Sequence, residues 1–462
     1  MDDRRFHEEL LFLKESQFWP RERLEELQLR RLRRLLGNAG THVPFYRNHF
    51  RKQGFEPSDL RRLEDLRGLP TLTKETILEH HRDFLAENVA RDSLVYMTTG
   101  GSTGNPLKIW MDSRYKACAR ATTWFHMSVA GFEPGTVSSV RLHGDILPTE
   151  LVGRGIFWQE APEDPGKLVM SSYHIDSGTA AEFVNRINQH RPRYLHAFSS
   201  AVSLLAGYVE ELGLDLDLEL SAVFTDSEVL YPEQRTRLER VFGCPVYSTY
   251  GHTEGSVLGI TTPGSRHIHL VPQVGIAELL DEEGKPVTEP GQRGEIVVTG
   301  FYNHVFPFIR YRTRDIGILA SMDGHEHNGG RHFVSLKDVE GRVQDYAVDR
   351  TGRAVPLAPA LFDYNFDWSG IDRFQVYQNR PGRLVFRLVP SSTAAEPFSA
   401  LEERVKTGFH RILNGDFQME VERWETIPHT HRGKYRYMIQ EIDMTETHEI
   451  AGILSGGIED AA

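Results

Sequence analysis

Apolar and polar positions along this chain of 462 residues change period from one stretch to the next. In residues 1–37, Leu24, Leu27, Leu32 and Leu35 recur at helical spacing. This predicts helices, the second opening near Pro20 and closing at Gly37. Val43-Pro44-Phe45-Tyr46 reads as an irregular link. Thr73 reads as the N-cap of a further helix with Glu75 in its first turn. Beyond it, β-rich runs at 94–97, 107–111, 137–142, 193–198, 220–225 and 245–250 are interleaved with helical patterns at 180–190 and 201–212. Alternating β and α units predict a layered α/β core.

From about Gly275 the pattern is β-rich. The runs 276–280 and 286–287 flank Asp281-Glu282-Glu283-Gly284, a hairpin signal, and 293–298 continues the strands. Near the end, alternating runs at 373–377 and 383–389 surround the turn Asn379-Arg380-Pro381-Gly382. A helical pattern follows at 397–413, with Gly415 beyond it, then a strand at 418–424. The expected organisation is α/β: a large layered amino-terminal domain over 1–343, with a helical segment over 1–90 and a β-rich subdomain. A small α+β domain over 344–462 follows.

Composition narrows the partners. The net charge of −12 gives no footing for nucleic acid or an anionic membrane. The basic run Arg30-Arg31-Leu32-Arg33-Arg34 reads as a solvated helix face. Cys118 and Cys244 are the only cysteines, which excludes a disulfide framework and fits a reducing cytosol. The first residues are charged, unlike a signal region, and no run reaches the ~20 apolar residues of a membrane span. A soluble cytoplasmic protein is expected, its oligomeric state open, with a homodimer as one option.

The first candidate chemistry is a loop between two β-rich runs, Thr98-Thr99-Gly100-Gly101-Ser102-Thr103-Gly104. Its glycines permit close backbone approach, and its N–H groups and hydroxyls suit a polyphosphate. No Lys-Ser or Lys-Thr follows Gly104, so it is not a Walker A loop, and a P-loop kinase or ATPase is excluded. Four segments accompany it. In Tyr250-Gly251-His252-Thr253-Glu254-Gly255 an aromatic ring, a hydroxyl and a carboxylate suit a base, a phosphate and Mg²⁺. In Ile309-Arg310-Tyr311-Arg312-Thr313-Arg314-Asp315 a carboxylate amid arginines suits a ribose diol. The others are Gly341-Arg342-Val343-Gln344-Asp345 and His431-Arg432-Gly433-Lys434-Tyr435-Arg436. Arg310, Arg312 and Arg314 also read as a solvent-facing row with Asp315 as their ion-pair partner.

In order and kind these segments resemble the adenylate-forming superfamily, above all its phenylacetate–CoA ligase-like branch with the CapK-like members. The resemblance covers nearly the whole chain, including Val43-Pro44-Phe45-Tyr46 and Leu69-Pro70-Thr71-Leu72-Thr73-Lys74. It implies that Thr98 to Gly104 wrap the β- and γ-phosphates of ATP. Ser227 and Glu228, after Asp226, stand at an adenine-contacting turn where the family more often has glycine or alanine in place of Asp226. Tyr250 and Gly251 border the adenine with His252 beside them. Thr253 touches the α-phosphate and Glu254 binds Mg²⁺. Asp315 takes the ribose hydroxyls with Arg342 nearby. Lys434 is the catalytic lysine of a mobile carboxy-terminal domain that turns about a hinge at Gln344 or Asp345.

The implied reaction is ATP-dependent activation of a carboxylic acid to an acyl-adenylate with release of pyrophosphate. Transfer to coenzyme A makes an acyl-CoA ligase; transfer to an amine makes an amide ligase of polysaccharide or natural-product biosynthesis. A non-catalytic nucleotide-binding homologue is a third reading, disfavoured because Lys434 and Glu254 are both present. Trp124, Phe125, His126, Phe198 and His252 are candidates for the acyl pocket, or apolar core. His267, His269, His325 and His327 stand where some CapK-like relatives carry zinc-binding cysteines. Exposed loop histidines are the commoner explanation, and zinc binding there stays open.

Overall fold

The computed structural model describes residues 3–98, 107–133, 138–162, 164, 166–325, 328–342, 346–352, 354–357, 361, 366–391, 396–413, 417–428 and 436–442. In chain order the strands begin with β1 (Val95–Thr98), β2 (Lys108–Met111), β3 (Ser139–His143), β4 (Trp158–Glu160), β5 (Lys167–Ser171), β6 (Tyr194–Phe198) and β7 (Ala222–Asp226). They continue with β8 (Val246–Gly251), β9 (Leu258–Ile260), β10 (Ile268–Leu270), β11 (Gly275–Leu280), β12 (Arg293–Gly300), β13 (Tyr311–Ser321) and β14 (Ser335–Arg342). The last are β15 (Tyr346–Val348), β16 (Ala354–Pro356), β17 (Ile371–Gln378), β18 (Arg383–Pro390), β19 (Gln418–Arg423) and β20 (Met438–Gln440). The chain folds into two compact units, Met1–Glu133 with Thr249–Val339, and Pro134–Ser248 with Glu340–Ala462.

In the first unit, helices Asp3–Ser16 and Arg21–His42 bury the predicted leucine stripe, with Leu24, Leu27, Leu32 and Leu35 all inside. The second helix does not stop at Gly37. Leu36 and Ala39 are buried on the next turn, and the stability of that apolar face outweighs one glycine's poor propensity. The expected link at Val43 is likewise a helix, Pro44–Gln53, with Pro44 in its first turn and Gly54 closing it at φ 59°. Proline is favoured at a helix start because the missing N–H has no intrahelical partner there. Thr73 caps helix Lys74–Glu79 as expected, its Oγ1 accepting from Thr76 N at 3.3 Å. β1 and β2 form an antiparallel pair. The sheet of this unit runs β11-β12-β13-β14-β10-β9-β8. No Cβ fits at Gly275 or Gly300, where it would meet Ser256 O at 2.3 Å and Ser256 Cα at 2.6 Å respectively, so close backbone approach fixes both residues.

In the second unit the order is β8-β7-β6-β3-β5-β4, with β8, β7, β6, β3 and β5 parallel. Helices Ala180–His190 and Ser199–Glu211 cover it. A parallel sheet covered by helices needs apolar side chains on both faces. Leu195 and Ala197 of β6 on one face and Phe224 of β7 on the other are accordingly buried. The carboxy-terminal part forms its own sheet, β19-β18-β17-β20, around helix Phe398–Ile412, as the β-β-α-β pattern predicts. Phe386, Val405 and Phe409 anchor its core. Among the described residues, no helix is long and apolar enough to cross a membrane.

Candidate active site

Strand β8 ends in the predicted Tyr-Gly-His-Thr-Glu turn, closed by Gly255 N donating to His252 O at 2.9 Å. Gly255 has φ 63°, and a Cβ there would lie 1.8 Å from the Tyr115 hydroxyl. The turn is therefore moulded against helix Ser113–Val129, and only glycine fits. It presents Glu254, itself 8 % exposed. Glu254 Oε1 accepts from the Tyr311 hydroxyl at 3.2 Å, and Oε2 from His252 Nδ1 at 3.0 Å. Both oxygens are thus oriented by named donors. His252 Nε2 is buried with no hydrogen-bond partner among the described residues. Burial, then the Glu254 charge, pushes the Tyr115 phenol well above its ordinary value.

Asp315 joins the same group. The Tyr250 hydroxyl donates to Asp315 Oδ2 at 2.8 Å, and the backbone N–H of Asp315 donates to Thr313 Oγ1 at 3.1 Å. β8 and β13 therefore bring together Tyr250, Glu254, Tyr311 and Asp315, far apart in the chain.

The arginines do not play the expected part. Arg310 is buried and pairs through two nitrogens with Glu278, at 2.9 and 3.0 Å. Arg312 pairs with Glu295, and Arg314 with Glu75 at 2.9 Å. Their charges tie β13 and the residue just before it to β11, β12 and the Lys74–Glu79 helix. A solvent-facing row was the natural reading of the alternation, because the acidic partners lie on other strands.

A second cluster belongs to the second unit. Glu228 Oε2 accepts from Ser200 N at 2.8 Å, capping helix Ser199–Glu211. Ser227 has φ 67°, a left-handed conformation costly for a non-glycine residue. Asp226 accepts from His143 Nε2 at 3.1 Å and His196 Nε2 at 2.8 Å. Burial drives the His143 imidazole down to about 4. Burial opposes ionisation of Asp226, but His196 and His143 overcome it and hold the carboxyl well below its usual range. Sequence reading passed over His143 and His196. Their signal was a histidine at or near the carboxyl ends of two neighbouring parallel strands, visible only once strand order is known.

The remaining candidates stand as follows. Thr98 ends β1, paired with Lys108; Thr99, Gly100, Gly101, Ser102, Thr103 and Gly104 lie outside the described residues, as do Gln344, Asp345, His327 and Lys434. Arg342 is the last residue of β14. Phe125 and His126 are buried in helix Ser113–Val129, and Trp124 packs edge-on against Phe6. Phe198 packs edge-on against His143, ring centres 4.5 Å apart. His269 bonds Ser335 at 2.7 Å and Ser265 at 2.9 Å through its two nitrogens, and His325 stacks on His332. None of His267, His269 and His325 belongs to a metal-binding group among the described residues.

The AMP-binding enzyme family model matches residues 166–306. Protein CapK of Staphylococcus aureus is 23% identical over 420 residues, 91% of this chain and 90% of that protein. The phenylacetate-coenzyme A ligase of Thermus thermophilus is 25% identical over 355 residues, 75% of this chain and 76% of that protein. A crystal structure of 2-hydroxyisobutyryl-CoA ligase in the postadenylation state with 2-HIB-AMP superposes with a TM-score of 0.71 at 20% identity, covering 93% of this chain and 92% of that one. That likeness shows a common fold.

Proposed function

The chain belongs to the adenylate-forming superfamily, in its phenylacetate–CoA ligase-like and CapK-like branch, and from that premise we propose that it activates a carboxylic acid with ATP and passes the acyl group to the thiol of coenzyme A. The observation that carries this reading is the convergence of Tyr250, Glu254, Tyr311 and Asp315 through hydrogen bonds at the end of β8. In the first step a substrate carboxylate oxygen bonds to the α-phosphorus of ATP while the bond to the β-phosphate oxygen breaks, and pyrophosphate leaves. Charge shifts onto phosphoryl oxygens, so positioned cations and donors matter more than a protein nucleophile.

Each residue has a part in this scheme. Asp315, buried and steadied by Tyr250, accepts from the ribose hydroxyls. The Tyr250 ring borders the adenine, and Thr253 donates its hydroxyl to the α-phosphate. Glu254 fits Mg²⁺ because it offers a hard carboxylate oxygen oriented by Tyr311 and His252. When bound, Mg²⁺ supplies charge neutralisation at the phosphates. In this reading Thr98 to Gly104 serve the leaving pyrophosphate, Arg342 serves the ribose, and Lys434 supplies a compact positive charge for the phosphoryl oxygens. In the second step the thiol sulfur attacks the acyl carbon and AMP leaves.

Incubation of the protein with ATP, Mg²⁺ and a panel of carboxylic acids, with coenzyme A or with amines, tests the acceptor. Mass spectrometry is expected to find an acyl-CoA and AMP. Amide products with no thioester would reject the thiol.

A further inference from the structure

The cluster on the second unit takes no part in this scheme. β7, β6 and β3 are adjacent parallel strands. Phe198 lies opposite Asp226, and His196 opposite Phe224 and Arg141. Side chains alternate faces along a strand, so His143, His196 and Asp226 emerge on one face, near the strands' carboxyl ends. Open α/β sheets bind ligands at that end. One ligand atom from each residue lies within 4.8 Å of the others, the only such group among the described residues.

The donor chemistry is specific. Both imidazoles aim Nε2 at the carboxylate, at 3.1 and 2.8 Å, and the two rings stand edge to face with centres 4.6 Å apart. Four-coordinate zinc with bonds near 2.1 Å places its ligand atoms roughly 3.4 Å apart, so small movements admit an ion between them. Side-chain exposures of 4% for His143, 16% for His196 and 26% for Asp226 leave the set protected at one end and open at the other. The neighbouring cation, Arg141, is bonded to Asp145 at 3.0 Å. Two imidazoles and one carboxylate with an open side are the ligand set of zinc-like ions that keep a position for water or a ligand oxygen.

We infer that His143, His196 and Asp226 form a binding site for one divalent transition-metal ion of the Zn²⁺ class, with an open coordination position. The site is separate in residues and in metal preference from Glu254, whose lone carboxylate suits Mg²⁺.

Chelator-stripped full-length protein titrated with Co²⁺ tests this. One equivalent is expected to bind and give the visible absorption of low-coordinate Co²⁺, and Zn²⁺ is expected to displace it. His143→Asn and His196→Asn are each expected to weaken binding by at least about tenfold, while Glu254→Gln leaves the spectrum unchanged. X-ray absorption of the zinc-loaded wild type, which needs no variant to fold, is expected to show two imidazoles and no sulfur. No uptake by the wild type, a sulfur ligand, or undiminished uptake by a folded His143→Asn/His196→Asn variant would overturn the site. The first result would leave a hydrogen-bonded triad. ATP–pyrophosphate exchange is read separately and does not bear on this outcome.

Discussion

The Tyr250 hydroxyl donates to Asp315 Oδ2 across 2.8 Å, joining the end of β8 to β13. This bond holds a buried carboxylate in place before any nucleotide arrives. Tyr250→Phe removes the donor and leaves Asp315 without it, a loss of about 1–2 kcal/mol. The expected result is a KM for ATP raised roughly 5- to 30-fold with a smaller change in kcat. Steady-state kinetics with ATP varied checks it.

Glu254 depends on Tyr311 and His252 for its orientation. With Glu254 holding Mg²⁺ as proposed, Glu254→Gln is expected to lower kcat on the order of 100-fold, because the cation that offsets transition-state charge loses a ligand. Tyr311→Phe is expected to cost less and to raise the Mg²⁺ concentration needed for half-maximal rate. A Mg²⁺ titration of both variants separates orientation from direct contact.

Gly255 is fixed by its φ of 63° and by the Tyr115 hydroxyl, 1.8 Å from any added Cβ. Gly255→Ala should destabilise the first unit by about 3 kcal/mol, combining left-handed strain with overpacking. Adding Tyr115→Phe removes the clashing oxygen and should recover part of that loss. Denaturant melts of the single and double variants measure the coupling.

Arg310 and Glu278 form a buried pair. Arg310→Ala should cost about 3 kcal/mol, because Glu278 is then left buried with only the more distant Arg67, at 3.8 Å, to offset its charge. A melting temperature within error of the wild type would show that the pair contributes nothing.

His304 gives a pH signature. Burial, then Arg114 and Arg34, drives its imidazole down to about 4. Between about 4 and 6.5 the unfolded chain holds a proton that the folded chain refuses, so stability falls as pH drops through this window. Partial exposure reduces the effect to about 2 kcal/mol. His304→Gln is expected to flatten the acid limb of a stability–pH curve between those values.

Much of the layered core was legible because its period is local. The 180–190 helix, the β6 and β7 runs and the β-β-α-β ending depend on neighbouring residues alone. The site turn was legible as well, since Tyr250, Thr253 and Glu254 are close in sequence. What failed depends on distant partners. Gly37 remains helical because Leu36 and Ala39 meet a core. Arg310, Arg312 and Arg314 look solvated until Glu278, Glu295 and Glu75 arrive from other elements. His143 and His196 are 53 residues apart and meet only through parallel strand order.

We propose that a carboxylate attacks ATP here with the help of Lys434. Exchange of labelled pyrophosphate into ATP measures that step alone, without coenzyme A or any acceptor. Exchange is expected to depend on a carboxylic acid and to fall at least about 100-fold in Lys434→Ala, with ATP binding retained. Exchange that needs no acid, or that proceeds undiminished in Lys434→Ala, would contradict the account.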